Sequence, residues 1–182
     1  MNVAVGQSIN SEIYVENDYL GNLAPADLNQ VKSVDWVGWF QNWLNFLNQT
    51  IDIPQDCELS LKLTDDRQIQ QYNHQYRRLD QPTDVLAFAS TETDIILPAE
   101  LTEPLYLGDI IISLDTAMRQ AKEQKHPLKV ELAWLSTHGL LHLLGWDHPD
   151  DESLQQMLSQ QKELIYSLNA LKFDELPSFT QF

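Results

Sequence analysis

Three histidines within eleven residues limit what this chain can fold into. The stretch is His138-Gly139-Leu140-Leu141-His142-Leu143-Leu144-Gly145-Trp146-Asp147-His148. The apolar spacing around it predicts a helix from near Pro127, a residue tolerated at a helix start, to about Leu144. His138 and His142 are four apart on that helix. Four residues advance the chain by about 6 Å and turn it about 40° past one revolution, so both rings share a face. Two imidazoles on one face give the bite needed for one metal ion. Gly145 can adopt the left-handed conformation that ends a helix, and the resulting turn returns His148 as a third ligand. Three protein ligands leave a fourth position for water, the catalytic arrangement for zinc; closed structural sites favour four ligands and cysteine. Cys57 is the sole cysteine and lies far away in the sequence. The chain holds five histidines, and a chance triplet at this one spacing is expected only about 0.004 times in such a chain. The triplet is therefore read as a site for one Zn2+ ion.

The same spacing occurs in metzincin proteases, which place a glutamate directly after the first histidine as general base. Gly139 occupies that position here. A protease of that kind would lack its base.

The remaining pattern predicts a mixed α and β domain. Cys57, Leu59, Leu61 and Leu63 alternate with Glu58, Ser60 and Lys62, the signature of a half-buried strand. Further strands are expected over Ser11–Val15, Val85–Ala89 and Leu107–Ser113. Leu20–Gln30 reads as a loop, and Ser33 as the N-cap of a helix whose Trp36, Val37, Trp39, Phe40, Trp43, Leu44, Phe46 and Leu47 recur near helical spacing. Such a stripe fits a core helix on a sheet better than a partner surface. Thr64-Asp65-Asp66 offers a cap for a helix to about Tyr76. Thr91–Pro104 should be a loop and Thr116–Lys125 a helix. Asp150-Asp151-Glu152 suits the first turn of a last helix. The expectation is an α+β fold, a small mixed sheet of about four strands surrounded by about five helices, with the metal site at the end of a core helix. Residues 1–168 are expected to form a single metallohydrolase domain, and 169–182 a weakly ordered tail.

Charge narrows the partners. The formal net charge is −16, from 27 acidic and 11 basic residues, which argues against a nonspecific grip on nucleic acid or anionic membrane. No apolar run approaches the roughly 20 residues that span a bilayer. No basic residue precedes Lys32, where a secretory signal needs early positive charge. A cytoplasmic protein is expected, and one cysteine excludes an internal disulfide.

The histidine stretch resembles the H-G-x-L-H-L-x-G-[YW]-D-H signature of the YbeY family of bacterial ribosomal-RNA maturation endoribonucleases. Two further segments agree. Asn73-His74-Gln75-Tyr76-Arg77-Arg78-Leu79-Asp80-Gln81-Pro82-Thr83-Asp84-Val85-Leu86-Ala87-Phe88 is similar to the family's N-x-x-Y-R-x-x-D-x-P-T-D-V-L-S-F segment, and Leu107-Gly108-Asp109-Ile110-Ile111-Ile112-Ser113 to its L-G-D-I-x-I-S strand. All three stand in the family's order, and the resemblance covers about Glu58 to Tyr166. Ala87 replaces the usual serine and Trp146 the commoner tyrosine.

The resemblance implies a cytoplasmic, metal-dependent, single-strand-specific endoribonuclease acting late in 3′-end maturation of small-subunit (16S) ribosomal RNA and in ribosome quality control. It implies that the three histidines hold the metal, and that ribosomal RNA and the small subunit or its assembly proteins are partners. Arg77 matches the arginine of the Y-R segment; it is read either as a guanidinium that clamps a phosphate in the transition state or as a surface arginine paired with an acid. Asp109 and Asp147 are read either as carboxylates orienting a ligand histidine or as backbone caps; Thr83 and Asp84 as loop-shaping residues. The negative charge requires either that folding gathers Arg77, Arg78, Arg119 and Lys122 around the metal or that a partner delivers the RNA. Two other readings stay open: a metallohydrolase of another substrate, and a ribosome-assembly factor whose metal is mainly structural.

Overall fold

The alternation from Cys57 to Leu63 forms a strand, β2 (Asp56–Thr64), with all four apolar side chains buried. The computed structural model describes residues 8–92, 104–168 and 171. Strand β1 (Asn10–Asn17) lies parallel to β2 on one side, and β4 (Leu105–Ser113) parallel on the other. Strand β3 (Val85–Ala89) joins β4 antiparallel, giving the order β1-β2-β4-β3. The sheet is four-stranded and mixed, and the fold is α+β, as the sequence predicts.

Register divides the sheet into two faces, because successive side chains alternate. Tyr14 pairs with Ser60, Ser60 with Asp109 and Asp109 with Phe88, so these four share one face. Leu61, Ile110 and Ala87 share the other. That second face carries α5 (Leu128–Leu143), which packs on β3 and β4 and is flanked by α1 (Pro25–Lys32), α4 (Leu114–Gln124) and α6 (Asp151–Ser167). Helix α5 is buried nearly all round, the pattern of a helix at the centre of a core. Its boundaries match the predicted helix, with Pro127 at the N-cap.

Helix α2 (Trp36–Leu47) is the expected core helix. It buries Trp36, Trp39, Phe40, Trp43, Leu44 and Leu47, packs against β1 and α6, and has Val37 on its exposed side. Trp43 Nε1–H donates to the Leu164 carbonyl of α6 at 3.0 Å. Two expectations before it need correction. Leu20–Gln30, expected as loop, contributes to α1 (Pro25–Lys32), which has proline in its first turn; the fixed φ of proline pre-organises that start. Gln30 then accepts from the Lys129 backbone N–H at 3.2 Å, tying α1 to α5. Ser33 is the C-cap of α1, and Asp35 caps α2 by accepting from Gly38 N–H at 3.0 Å.

Helix α3 (Asp66–Tyr72), capped by Asp65, widens into a π-helical turn over Asn73–Arg77 and stops at left-handed Arg78. Helix α4 (Leu114–Gln124) starts at Ser113, and α6 (Asp151–Ser167) at an Asp150–Ser153 capping box. Six α-helices are described, against about five expected. The expected Thr91–Pro104 loop and the tail after Leu168 lie almost wholly outside the described residues.

Candidate metal centre

The end of α5 is closed by paired backbone bonds: Trp146 N–H donates to the Leu141 carbonyl and Gly145 N–H to the His142 carbonyl, both at 3.0 Å. This pattern needs a left-handed residue after the helix. Gly145 supplies it at φ 86°. The reversed chain carries His148 back toward the helix, and Asp147 steadies the turn by accepting from His148 N–H at 2.8 Å. Asp147 is thus a backbone partner.

The structure brings His138, His142 and His148 together. Ring centroids lie 4.6, 5.6 and 5.3 Å apart for the three pairs. One ligand nitrogen from each ring falls within 4.8 Å of the others. The His138 and His142 Nε2 atoms are 3.1 Å apart. Two imidazole nitrogens on one tetrahedral zinc stand about 3.3 Å apart, so the donor set fits such an ion. Burial first, and then the neighbouring His142, hold His138 down to a pKa of about 4. His142 is lowered by burial and then by His148. Depressed values keep these rings neutral at ordinary pH, and neutral imidazole is the form that binds metal.

Gly139 has a packing reason to be glycine. A Cβ built there would lie 2.8 Å from Ile110 Cγ2. Helix and sheet approach too closely for a side chain, and the one that a zincin-type base would need points into β4.

Across the outer strand β3, Arg77 and Glu92 line a recess of about 190 Å3 together with His138 and His142. Arg77 Nη2 donates to the Ala87 carbonyl at 3.0 Å, meets Glu92 Oε2 at 3.4 Å, and stacks its guanidinium 5.4 Å from the Phe88 ring centre. Of Arg77, Arg78, Arg119 and Lys122, Arg77 reaches the recess, whereas Arg119 binds Asp66 at 2.8 Å. Arg77 and Glu92 also line a second, larger groove of about 730 Å3 on the sheet face opposite α5. Its walls include Tyr14, Tyr72, Tyr76 and Phe88. Tyr72 and Tyr76 stack at 6.5 Å, and Tyr76 meets Phe88 edge-on at 5.1 Å.

Asp109 faces this groove. It accepts from Tyr106 O–H at 2.6 Å, on the face of the sheet away from α5 and its histidines. Asp84 accepts from Val85 N–H at 2.7 Å and from Gln120 at 2.9 Å, the loop-shaping role expected of it. Two polar residues beside the triad were not signalled by the sequence. Glu92 sits in a segment read as loop, and Gln161 is buried on α6 within 3.3 Å of His138.

A family model described as Endoribonuclease YbeY matches residues 25–169. A protein named Endoribonuclease YbeY from Acaryochloris marina is 57% identical over 169 residues, 87% of this chain and 95% of that protein. Another so named, from Trichormus variabilis, is 54% identical over 138 residues, 75% of this chain and 78% of its own length. The solution structure of a Thermotoga maritima protein shares the fold, with a TM-score of 0.52 at 22% identity over 86% of this chain and 88% of that one. The matched span contains all three histidines, the Tyr76-Arg77 segment and strand β4, so the chain belongs to the endoribonuclease YbeY family.

Proposed function

We propose that this protein is a zinc-dependent endoribonuclease that cuts single-stranded RNA. We assign its substrate to the 3′ end of small-subunit ribosomal RNA, processed in the cytoplasm on or near the small subunit, with residues 1–168 as the working domain. Family membership and the endoribonuclease name of the relatives support the RNA substrate. The observation that carries the chemistry is the cluster of three histidines, two of which, His138 and His142, line one recess with Arg77.

In this reading His138, His142 and His148 hold one Zn2+. Bound there, the ion supplies Lewis acidity, polarising a phosphoryl oxygen and acidifying a water molecule. Arg77 presents its guanidinium to the phosphate and offsets the charge that grows on its oxygens. The Ala87 carbonyl and the Phe88 ring hold that side chain over β3. The aromatic groove that continues from Arg77 suits unpaired bases. Base–aromatic stacking contributes about 1–3 kcal/mol per base and does not depend on a positive surface. That offers a way for a chain of net charge −16 to hold RNA. No helix among the described residues is long and apolar enough to cross a membrane.

The test is cleavage of a single-stranded RNA carrying the small-subunit 3′ end by purified protein of known metal content, with His138→Ala as control. Cleavage lost with the metal and with His138 supports the proposal. Metal binding without cleavage of any RNA would leave the ion a structural role and overturn it.

A further inference from the structure

Gln161 lies 23 residues beyond His138 on a different helix, and its side chain is fully buried. Its Nε2 donates to the Trp134 carbonyl at 3.2 Å. A backbone carbonyl can only accept, so the amide must turn its N–H2 group toward Trp134. The opposite orientation would bury two acceptors against each other and leave both unsatisfied. The carbonyl end therefore faces His138, with Oε1 at 3.3 Å from Nδ1. Since Oε1 can only accept, the proton of the neutral ring belongs on Nδ1. Nε2 then carries the lone pair, and Nε2 is the atom 3.1 Å from Nε2 of His142.

We propose that Gln161 is a positioning residue that sets the tautomer of His138, aiming the Nε2 lone pair into the triad. This rests on the reading of the triad as a metal site. The chain of constraint begins at a helix backbone, runs through one amide and ends at a ring nitrogen, so it is built in before any ion arrives. The His138 tautomer depends on a side chain, and a side chain can be substituted.

Two variants separate orientation from packing. Gln161→Met fills the space and offers no acceptor. Trp134 O keeps a bond from Thr137 Oγ1 at 2.9 Å, so the change leaves no orphan on α5. Gln161→Glu keeps the acceptor and loses the donor. The first readout needs no metal: long-range proton–nitrogen NMR of the metal-free protein at pH 7.5, which distinguishes Nδ1–H from Nε2–H. Wild type and Gln161→Glu should show His138 as Nδ1–H, and Gln161→Met a mixture. The second readout is zinc affinity by chelator competition. Gln161→Met should bind about 10–100-fold more weakly than wild type, as outer-shell losses typically do, with Gln161→Glu restored to within a few-fold. An Nε2–H tautomer in wild type overturns the proposal without any variant. So does unchanged zinc affinity in a folded Gln161→Met protein. Wild type that shows the Nδ1–H tautomer but binds no zinc would sink the metal reading while leaving the tautomer assignment standing.

Discussion

Arg77→Ala separates a residue that stabilises the fold from one that acts on the substrate. The Arg77 side chain is 43% exposed and its partner Glu92 52%. An ion pair that open contributes about 0–1 kcal/mol. The stack on Phe88 adds about 0.5–1 kcal/mol at an exposed site. The bond to the Ala87 carbonyl is partly replaced by water. The truncation should therefore cost about 1 kcal/mol, which in a domain of this size lowers Tm by about 2–4 °C. Zinc content should stay at the wild-type level, because the bonds of Arg77 go to the Ala87 carbonyl and to Glu92. Cleavage of single-stranded RNA should fall by about 10²–10³, the usual loss when a donor to transition-state charge is removed. Arg77→Lys should recover part of this, since lysine keeps the charge and loses the two-pronged geometry. The assays are calorimetry, elemental analysis and the single-turnover cleavage rate on all three proteins. Wild-type cleavage by a folded Arg77→Ala protein would refute the clamp. A Tm loss above 10 °C would make Arg77 a structural strut rather than a clamp.

Gly139→Ala should destabilise the protein by about 1–3 kcal/mol, because its methyl overlaps Ile110 in a packed core; a urea midpoint equal to wild type would show that helix and sheet can part. The protein should have no zinc-dependent peptidase activity, and cleavage of an unstructured peptide that vanishes with His142→Ala would contradict this. Asp66 is pushed up by burial, but hydrogen bonds from Ser113, Arg119 and Thr116 outweigh it and hold its carboxyl below the usual range. A depressed folded-state value stabilises above the unfolded value of about 3.9 and loses that contribution as pH falls through it. The stability gap between wild type and Asp66→Asn should accordingly be widest near pH 7 and shrink below about pH 4; a gap independent of pH would mean that the charge is immaterial.

The elements that sequence reading placed well are those whose physics is local. Alternation gave β2, helical spacing gave α2 and α5, and the closing glycine gave the turn that returns His148. Helix α1 was missed because Pro25, Asp27 and Asn29 read as loop, and Val31 is the one residue it fully buries; docking on α5 holds it. The cap at Asp35 rather than Ser33 was a choice between two good capping residues two positions apart. Arg77 was reachable only through resemblance, because a π-helical turn and an edge-strand carbonyl bring it to the histidines. Gln161 had no signal: a glutamine on a polar-looking helix acquires meaning from a histidine 23 residues away.

The three histidines proposed to hold zinc span eleven consecutive residues, and this bears on how that binding and folding would be coupled. A ligand stabilises a protein by its preference for the native over the unfolded chain. Loop-closure entropy rises slowly with loop length, and segments of four and six residues are cheap to close. The unfolded chain therefore keeps its donors near one another and competes for the ion. Zinc should raise the melting temperature by less than its affinity for the native protein implies, because the unfolded chain retains part of the site.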